Sequence, residues 1–211
     1  MVGSAKKGTG EKPGKKKKYS YADYLTWQDG RRYELIDGEA FAMTPAPGRF
    51  HQFILHRLSL EFGNFFRKKS CEVYTAPFDV RLERTTLRGK ETRTVVQPDL
   101  AVFCNGDLLD DSGAIGAPDL VVEVVSPSTA SHDNVRKRHI YEQAGVREYW
   151  LVYPEERYVR VYQLDDQGKF GKENTFEDCD RIQVGIFPDL TIDMTEIFPP
   201  APKVPIASPD I

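Results

Sequence analysis

A chain of 211 residues, 40% hydrophobic and 29% charged, is long enough for one domain with its own core, and no apolar run approaches the roughly 20 residues needed to cross a bilayer. The net charge of −3 conceals an asymmetry: residues 1–18 hold seven lysines and one acid, so the remainder has 22 basic and 31 acidic residues and a net charge of −9. An acidic body lacks the broad basic footprint of a protein that wraps nucleic acid, and the lysine-rich start lacks the apolar run of a secretory signal.

Residues 1–18, rich in Gly and Lys, are expected to be a disordered, solvated leader, with phosphate contact as the alternative. Residues 19–27 predict a short helix capped by Ser20. Residues 33–36 and 39–43 predict a hairpin around Asp37-Gly38, a pair that tolerates the positive φ of a tight turn. Residues 44–48 form a Pro-rich connection. Ile54, Leu55, Leu58, Phe62, Phe65 and Phe66 recur at helical spacing and predict a long helix over residues 51–69. A β-rich middle follows, with one strand region over residues 71–82 bent at Pro77, a polar loop over 83–93, and strands over 94–104 and 119–126. A helix is expected from Asp133, its N-cap, to Ala144, with Gly145 as its stop. Strands over 146–153 and 158–164, a turn at 165–168, and one or two short strands within 182–198 complete the body, before a loose Pro-rich tail from Pro199. This order predicts one α/β domain over residues 19–198, a mixed sheet with helices against it. Cys71, Cys104 and Cys179 are far apart and odd in number, which suggests unpaired thiols in a reducing compartment, the cytoplasm.

Three charged residues sit where local structure does not ask for them. Glu123 stands alone among Leu and Val in Asp119-Leu-Val-Val-Glu-Val-Val-Ser126, a run that reads as a strand covered on both faces. A buried carboxylate costs several kcal/mol unless something pairs with it; the alternative is an edge strand with Glu123 in water. Asp99 is the single acid in the apolar segment 95–103, and Pro98 removes a ladder donor there, so Asp99 falls at an irregular point. Lys137 lies three residues before Ile140 and four before Tyr141, on the apolar stripe of the second long helix. It needs an acidic partner, for which Glu123 is a candidate, or an exit to solvent. Two carboxylates and an ammonium on one face would suit Mg²⁺ or Mn²⁺, which take hard oxygen ligands. Such an ion polarises a phosphoryl oxygen and activates water, the equipment of phosphodiester hydrolysis. His51, at the start of the long helix, is a candidate base or phosphate contact, with a structural role as the alternative. Asp119 also follows a proline but ranks below Asp99.

Four ordered segments carry a resemblance: Tyr33-Glu-Leu-Ile-Asp-Gly-Glu39, Gln97-Pro-Asp-Leu100, Pro118-Asp-Leu-Val-Val-Glu-Val-Val-Ser-Pro-Ser128 and Gly145-Val-Arg-Glu-Tyr-Trp-Leu-Val152. Over residues 19 to 198 the chain resembles the Uma2 family of restriction-endonuclease-type proteins, which has the PD-(D/E)XK nuclease fold. The resemblance implies a restriction-endonuclease-like core with the site on the central strands and added β-hairpins. Pro98-Asp99 matches the PD element and Glu123 the (D/E). The resemblance also implies that Glu34 reaches the metal with Asp99 and Glu123; the alternative is an exposed acid on the hairpin. The motif lysine should stand at position 125, where this sequence has Val125, so Lys137 is the candidate to supply the ammonium from the following helix.

The leading expectation is thus a Mg²⁺- or Mn²⁺-dependent endonuclease acting on nucleic acid, DNA before RNA, with Asp99, Glu123, Lys137, Glu34 and His51 at its centre. Nucleases on this fold often need two sites to cut a duplex, which suggests a homodimer. The rival is a non-catalytic nucleic-acid or protein-binding module on the same fold, favoured by Val125 and by the long-range repulsion of a polyanion from an acidic body.

Overall fold

The computed structural model describes residues 17–43, 48–82, 91–126 and 132–200. Most of the lysine-rich leader and Pro-rich tail, the connection 44–47, the loop 83–90, and the side chain of Asp133, expected as an N-cap, lie outside the described residues.

The first elements follow their local signals. Ser20 caps α1 (Tyr21–Tyr24) in a capping box with Asp23. Strands β1 (Tyr33–Ile36) and β2 (Glu39–Ala42) pair antiparallel. Their turn has positive φ at both Asp37 (49°) and Gly38 (80°), as the mirror-image hairpin turn requires. Helix α2 (Arg49–Phe66) starts two residues before its expected boundary and buries Ile54, Leu55, Leu58, Phe62 and Phe66 along one side.

The chain then departs from the expected single strands. The region 71–82 is two strands, β3 (Glu72–Thr75) and β4 (Val80–Arg81), and the region 94–104 is two more, β5 (Val95–Val96) and β6 (Leu100–Phe103). At each break the backbone leaves one sheet for another, at the cis Ala76–Pro77 bond and again at Pro98. A proline cannot donate to a ladder, so both crossings fall where pairing has to stop. Two short strands that the sequence did not announce, β7 (Leu109–Asp110) and β8 (Gly113–Ile115), precede β9 (Leu120–Val124). A π-helical turn, His132–Lys137, runs into α3 (Arg138–Ala144), which stops at Gly145 in the left-handed region (φ 88°). Then come β10 (Glu148–Tyr153), β11 (Tyr158–Gln163), β12 (Asn174–Glu177), β13 (Arg181–Gln183) and β14 (Thr191–Asp193). The segment expected to hold only strands closes in a helical turn, α4 (Met194–Ile197), because Asp193 caps it.

The expected single sheet is two mixed sheets. One has the order β2-β1-β5-β4-β8-β7 and the other β12-β11-β10-β9-β6-β3, with β13 and β14 as a separate ribbon. In the second sheet β9 and β10 run parallel, joined through α3. Strand alternation then sorts the side chains. Leu120, Val122, Val124, Trp150 and Val152 pack against α2 and the C-terminal ribbon. Val121, Val125, Tyr149 and Leu151 pack with Ile140 and Tyr141 of α3 and with Val80, Val96 and Ala114 of the first sheet. A sheet covered on both faces is why β9 reads as an almost unbroken apolar run. Period two sends Glu123, between Val122 and Val124, to the α3 side.

Two features go beyond the sequence reading, and the first corrects it. Cys71 and Cys104 are disulfide-bonded, with only Cys179 free. β3 and β6 run antiparallel with Glu72 opposite Phe103, and one further step of that register sets the two cysteines face to face. The cysteine count therefore carries no argument about compartment. No described helix is long and apolar enough to cross a membrane.

The second feature is Glu148, fully buried at the start of β10. It accepts from Trp150 Nε1 at 2.7 Å and from the Ile186 amide at 2.9 Å, tying β10 to the turn between β13 and β14. Burial pushes its carboxyl above the ordinary value of 4.5, against the pull of those hydrogen bonds. The folded protein thus holds this proton more tightly than the unfolded chain does. Its stabilising contribution is full at pH below 4.5 and is lost as pH rises through the raised value. Glu148→Gln cannot ionise, so it should flatten that decline in urea titrations run across pH. It should also add a roughly constant penalty of about 1–3 kcal/mol where the amide cannot satisfy every facing donor. A variant with the wild-type pH slope would show that Glu148 does not cause it.

Candidate active site

The break between β5 and β6 and the end of β9 bring the candidate residues together. Leu100 pairs with Val122, and Asp99 lies one residue beyond that pair, where the same register would set it opposite Glu123. The Asp99 side chain turns back onto β9, its Oδ2 accepting the Val124 amide at 2.8 Å. His51, from the first turn of α2, places Nε2 3.1 Å from the same Oδ2. Both contacts fall on one oxygen of a carboxylate that remains 20% exposed, so Asp99 is held and still faces solvent. His51 Nδ1 is buried and has no hydrogen-bond partner among the described residues.

Behind Asp99 lies a buried ion cluster. Lys137 Nζ is 2.9 Å from Glu123 Oε1 and 3.0 Å from Glu34 Oε1. Glu34, Glu123 and Lys137 are each 3–4% exposed. Glu123 Oε1 also accepts the Tyr141 hydroxyl at 2.8 Å, and Glu34 Oε1 accepts the Gln97 amide at 2.9 Å. Each element of the fold contributes one member. β1 in the first sheet brings Glu34, β9 in the second brings Glu123, and the π-helical turn brings Lys137. The Gln97 amide, two residues before Asp99, ties the cluster to the strand break. Such a cluster stands only because its charges are paired and hydrogen-bonded.

The geometry accounts for Val125. It is buried two residues beyond Glu123, on the same face of the chain, in the cluster that contains Ile140. A small apolar side chain there lets α3 pack against the sheet. Lys137, one turn before Ile140 and Tyr141, then reaches Glu123. Of the lysine's two sequence alternatives, acidic partner or exit to solvent, the structure shows the partner.

The expected three-carboxylate set takes another form. Among the described residues no group of three or more His, Cys, Asp or Glu side chains is gathered so that it could hold a metal ion. Lys137 occupies the space between Glu34 and Glu123. Asp119 lies apart from the cluster, accepting the Cys104 amide at 2.8 Å and pairing with Arg147 at 3.1 Å.

Two contributors escaped the sequence reading. Tyr141 counts there as part of an apolar stripe, yet its hydroxyl completes Glu123. A buried tyrosine usually finds a partner for its hydroxyl, and that was the available signal. Gln97 contributes its amide to Glu34 and its side chain to Asp79, with Nε2 to Oδ1 at 2.7 Å, while the Tyr21 hydroxyl donates to Asp79 Oδ2 at 2.9 Å. This network pins the strand break beneath Asp99.

Residues 21–195 match the model of a family described as Uma2, putative restriction endonuclease. The chain belongs to the Uma2 family. An uncharacterized protein of Synechocystis sp. is 28% identical to this Uma2 chain over 170 residues, 79% of this chain and 85% of the relative. Among solved structures, a protein described as a putative nuclease belonging to DUF820, from Anabaena variabilis, superimposes with a TM-score of 0.67 at 17% identity. The match covers 85% of this chain and 97% of that one. The nuclease-like fold expected from the sequence is therefore the fold observed, with β9, α3 and β10 at its centre.

Proposed function

We propose that this Uma2 protein is a divalent-metal-dependent endonuclease that hydrolyses phosphodiester bonds, with DNA as its substrate. The observation that carries this reading is the convergence of Asp99, partly open to solvent, with the buried Glu123–Lys137–Glu34 cluster at a strand break. Family membership supports a nuclease; metal and substrate are this proposal's own.

The donor set suits Mg²⁺ or Mn²⁺. Mg²⁺ is commonly held by one or two carboxylates, with waters and substrate phosphate completing its shell, so a cage of three protein ligands is not required. Asp99 and Glu123 would hold the ion, and Glu34 serves Lys137 instead. When bound, the ion polarises a phosphoryl oxygen and lowers the pKa of a coordinated water. The chain's own residues do the rest. His51 and the Val124 amide fix one oxygen of Asp99 and so orient the other. Tyr141 and Lys137 fix one oxygen of Glu123. Lys137 sets positive charge beside the two carboxylates, where phosphate oxygens gain negative charge in the transition state. Glu34 holds the ammonium in place.

One observation favours the non-catalytic rival: Lys137 is nearly inaccessible and paired on both sides, as a purely structural clamp would be. The readings separate in one assay. Supercoiled DNA incubated with the full chain and Mg²⁺ or Mn²⁺ should be nicked or linearised, and a chelator should abolish this. DNA binding without cleavage by either metal would favour the rival.

A further inference from the structure

We propose that Arg32 and His56 are substrate-binding residues, gripping the phosphates that flank the reacting one along the cleft that opens onto Asp99. The inference rests on the nuclease reading and extends it to the path of the strand. The cleft has a volume of about 300 Å³, and its lining includes Gln52, His56 and Ser59 from α2 together with Arg32, Thr75 and Asp99 from other elements.

Three features point to a polyanion. Gln52, His56 and Ser59 fall at i, i+4 and i+7, a polar stripe on α2 beginning one residue after His51. An apolar stripe would be expected if this side of the helix were to be buried. Arg32 stands two residues before Glu34, with its backbone fixed where its carbonyl accepts the Met43 amide at 2.9 Å. Its guanidinium has no carboxylate partner among the described residues and, unlike the other unpaired arginines, it lines the cleft that reaches Asp99. In a body of net charge −9, a cation left unpaired beside the reacting centre gives a phosphate strand its local attraction.

The chemistry fits the placement. A guanidinium fork takes two phosphate oxygens at once. An imidazole N–H and the Gln52 amide donate from α2. A strand drawn between them lies with one linkage against Asp99 and a neighbouring phosphate between Arg32 and His56.

The test is binding of a fluorescein-labelled oligodeoxynucleotide, single-stranded and as a duplex, to the full chain in chelator, across a salt series. Arg32→Ala should weaken binding about tenfold and lower the salt slope by about one phosphate contact. His56→Ala should weaken it severalfold, and Arg32→Lys should restore the slope. Arg57→Ala, on an exposed residue whose guanidinium lies over Phe53, should bind as the wild type does. With Mg²⁺, Arg32→Ala should raise KM and leave kcat within about twofold, a split that a merely structural role would not produce. Wild-type binding with an unchanged affinity and slope in the Arg32→Ala, His56→Ala double variant overturns this inference and leaves the nuclease reading intact. A wild-type chain that neither binds nor cleaves the oligonucleotide overturns both.

Discussion

Lys137→Ala is expected to lower the free energy of unfolding by about 3–5 kcal/mol and to abolish cleavage, because it removes the ammonium that two buried carboxylates share. Glu34 and Glu123 are each within 3.0 Å of Lys137 Nζ and each nearly inaccessible. The Gln97 amide and the Tyr141 hydroxyl stay behind as donors, yet neither carries charge. The two acids would have to take up protons or draw in water. Urea titration of wild type and variant at neutral pH measures the loss. A cost below about 1 kcal/mol would place the cluster among solvated ion pairs of little weight and remove the argument that the fold is built around it. Tyr141→Phe removes the neutral hydroxyl that donates to Glu123 and should cost about 1 kcal/mol, which sets the weight of a neutral donor beside that of the charge.

Apart from Glu34, which only the family resemblance singled out, the residues of this cluster and Asp99 beside it could be read from the sequence to the degree that each broke a local rule. Glu123 interrupts a run of Leu and Val, Asp99 follows a proline inside a strand, and Lys137 lies on an apolar helical stripe. Each anomaly is visible within a few neighbours. That the three meet is not visible there, since the meeting depends on the pairing of β6 with β9 and on α3 crossing over the second sheet. Tyr141 broke no rule, because an aromatic residue on an apolar stripe is what a core helix should have. Arg32 and His56 broke none either, being ordinary polar residues until the hairpin and α2 wall the same cleft. The same limit governs the fold. Pro77 and Pro98 mark bends in the sequence, but only long-range pairing shows that the chain changes sheets at each. The Cys71–Cys104 bridge likewise follows from strand register, which no cysteine count contains. Short strands such as β7 and β8 carry too few residues for alternation to show.

Asp99→Asn is expected to leave a folded protein with cleavage reduced by about a thousandfold or more, equivalent to about 4 kcal/mol of transition-state stabilisation. The substitution keeps the shape of the side chain. Asparagine's carbonyl can still accept the Val124 amide, and Asp99 lies at a partly exposed strand break, so stability should change by about 1 kcal/mol or less. What disappears is the negative charge that the proposed metal site would need from this side chain to hold a hard cation. Calorimetry with Mg²⁺ and Mn²⁺, on wild type and variant and with DNA present, should therefore show metal uptake by the first and little by the second. The contrast with Lys137 separates the two roles. Removing the lysine should damage fold and activity together, whereas Asp99→Asn should remove activity from an intact fold. His51→Ala should be milder than either, loosening Asp99 while keeping its charge, and reduce the rate by about tenfold to a hundredfold. An Asp99→Asn protein that stays folded and keeps full metal-dependent cleavage would move the reacting centre away from this strand break altogether. The buried cluster would then be a structural clamp on a nuclease-like scaffold, and the gathering of charge at the sheet crossing would need a binding role instead.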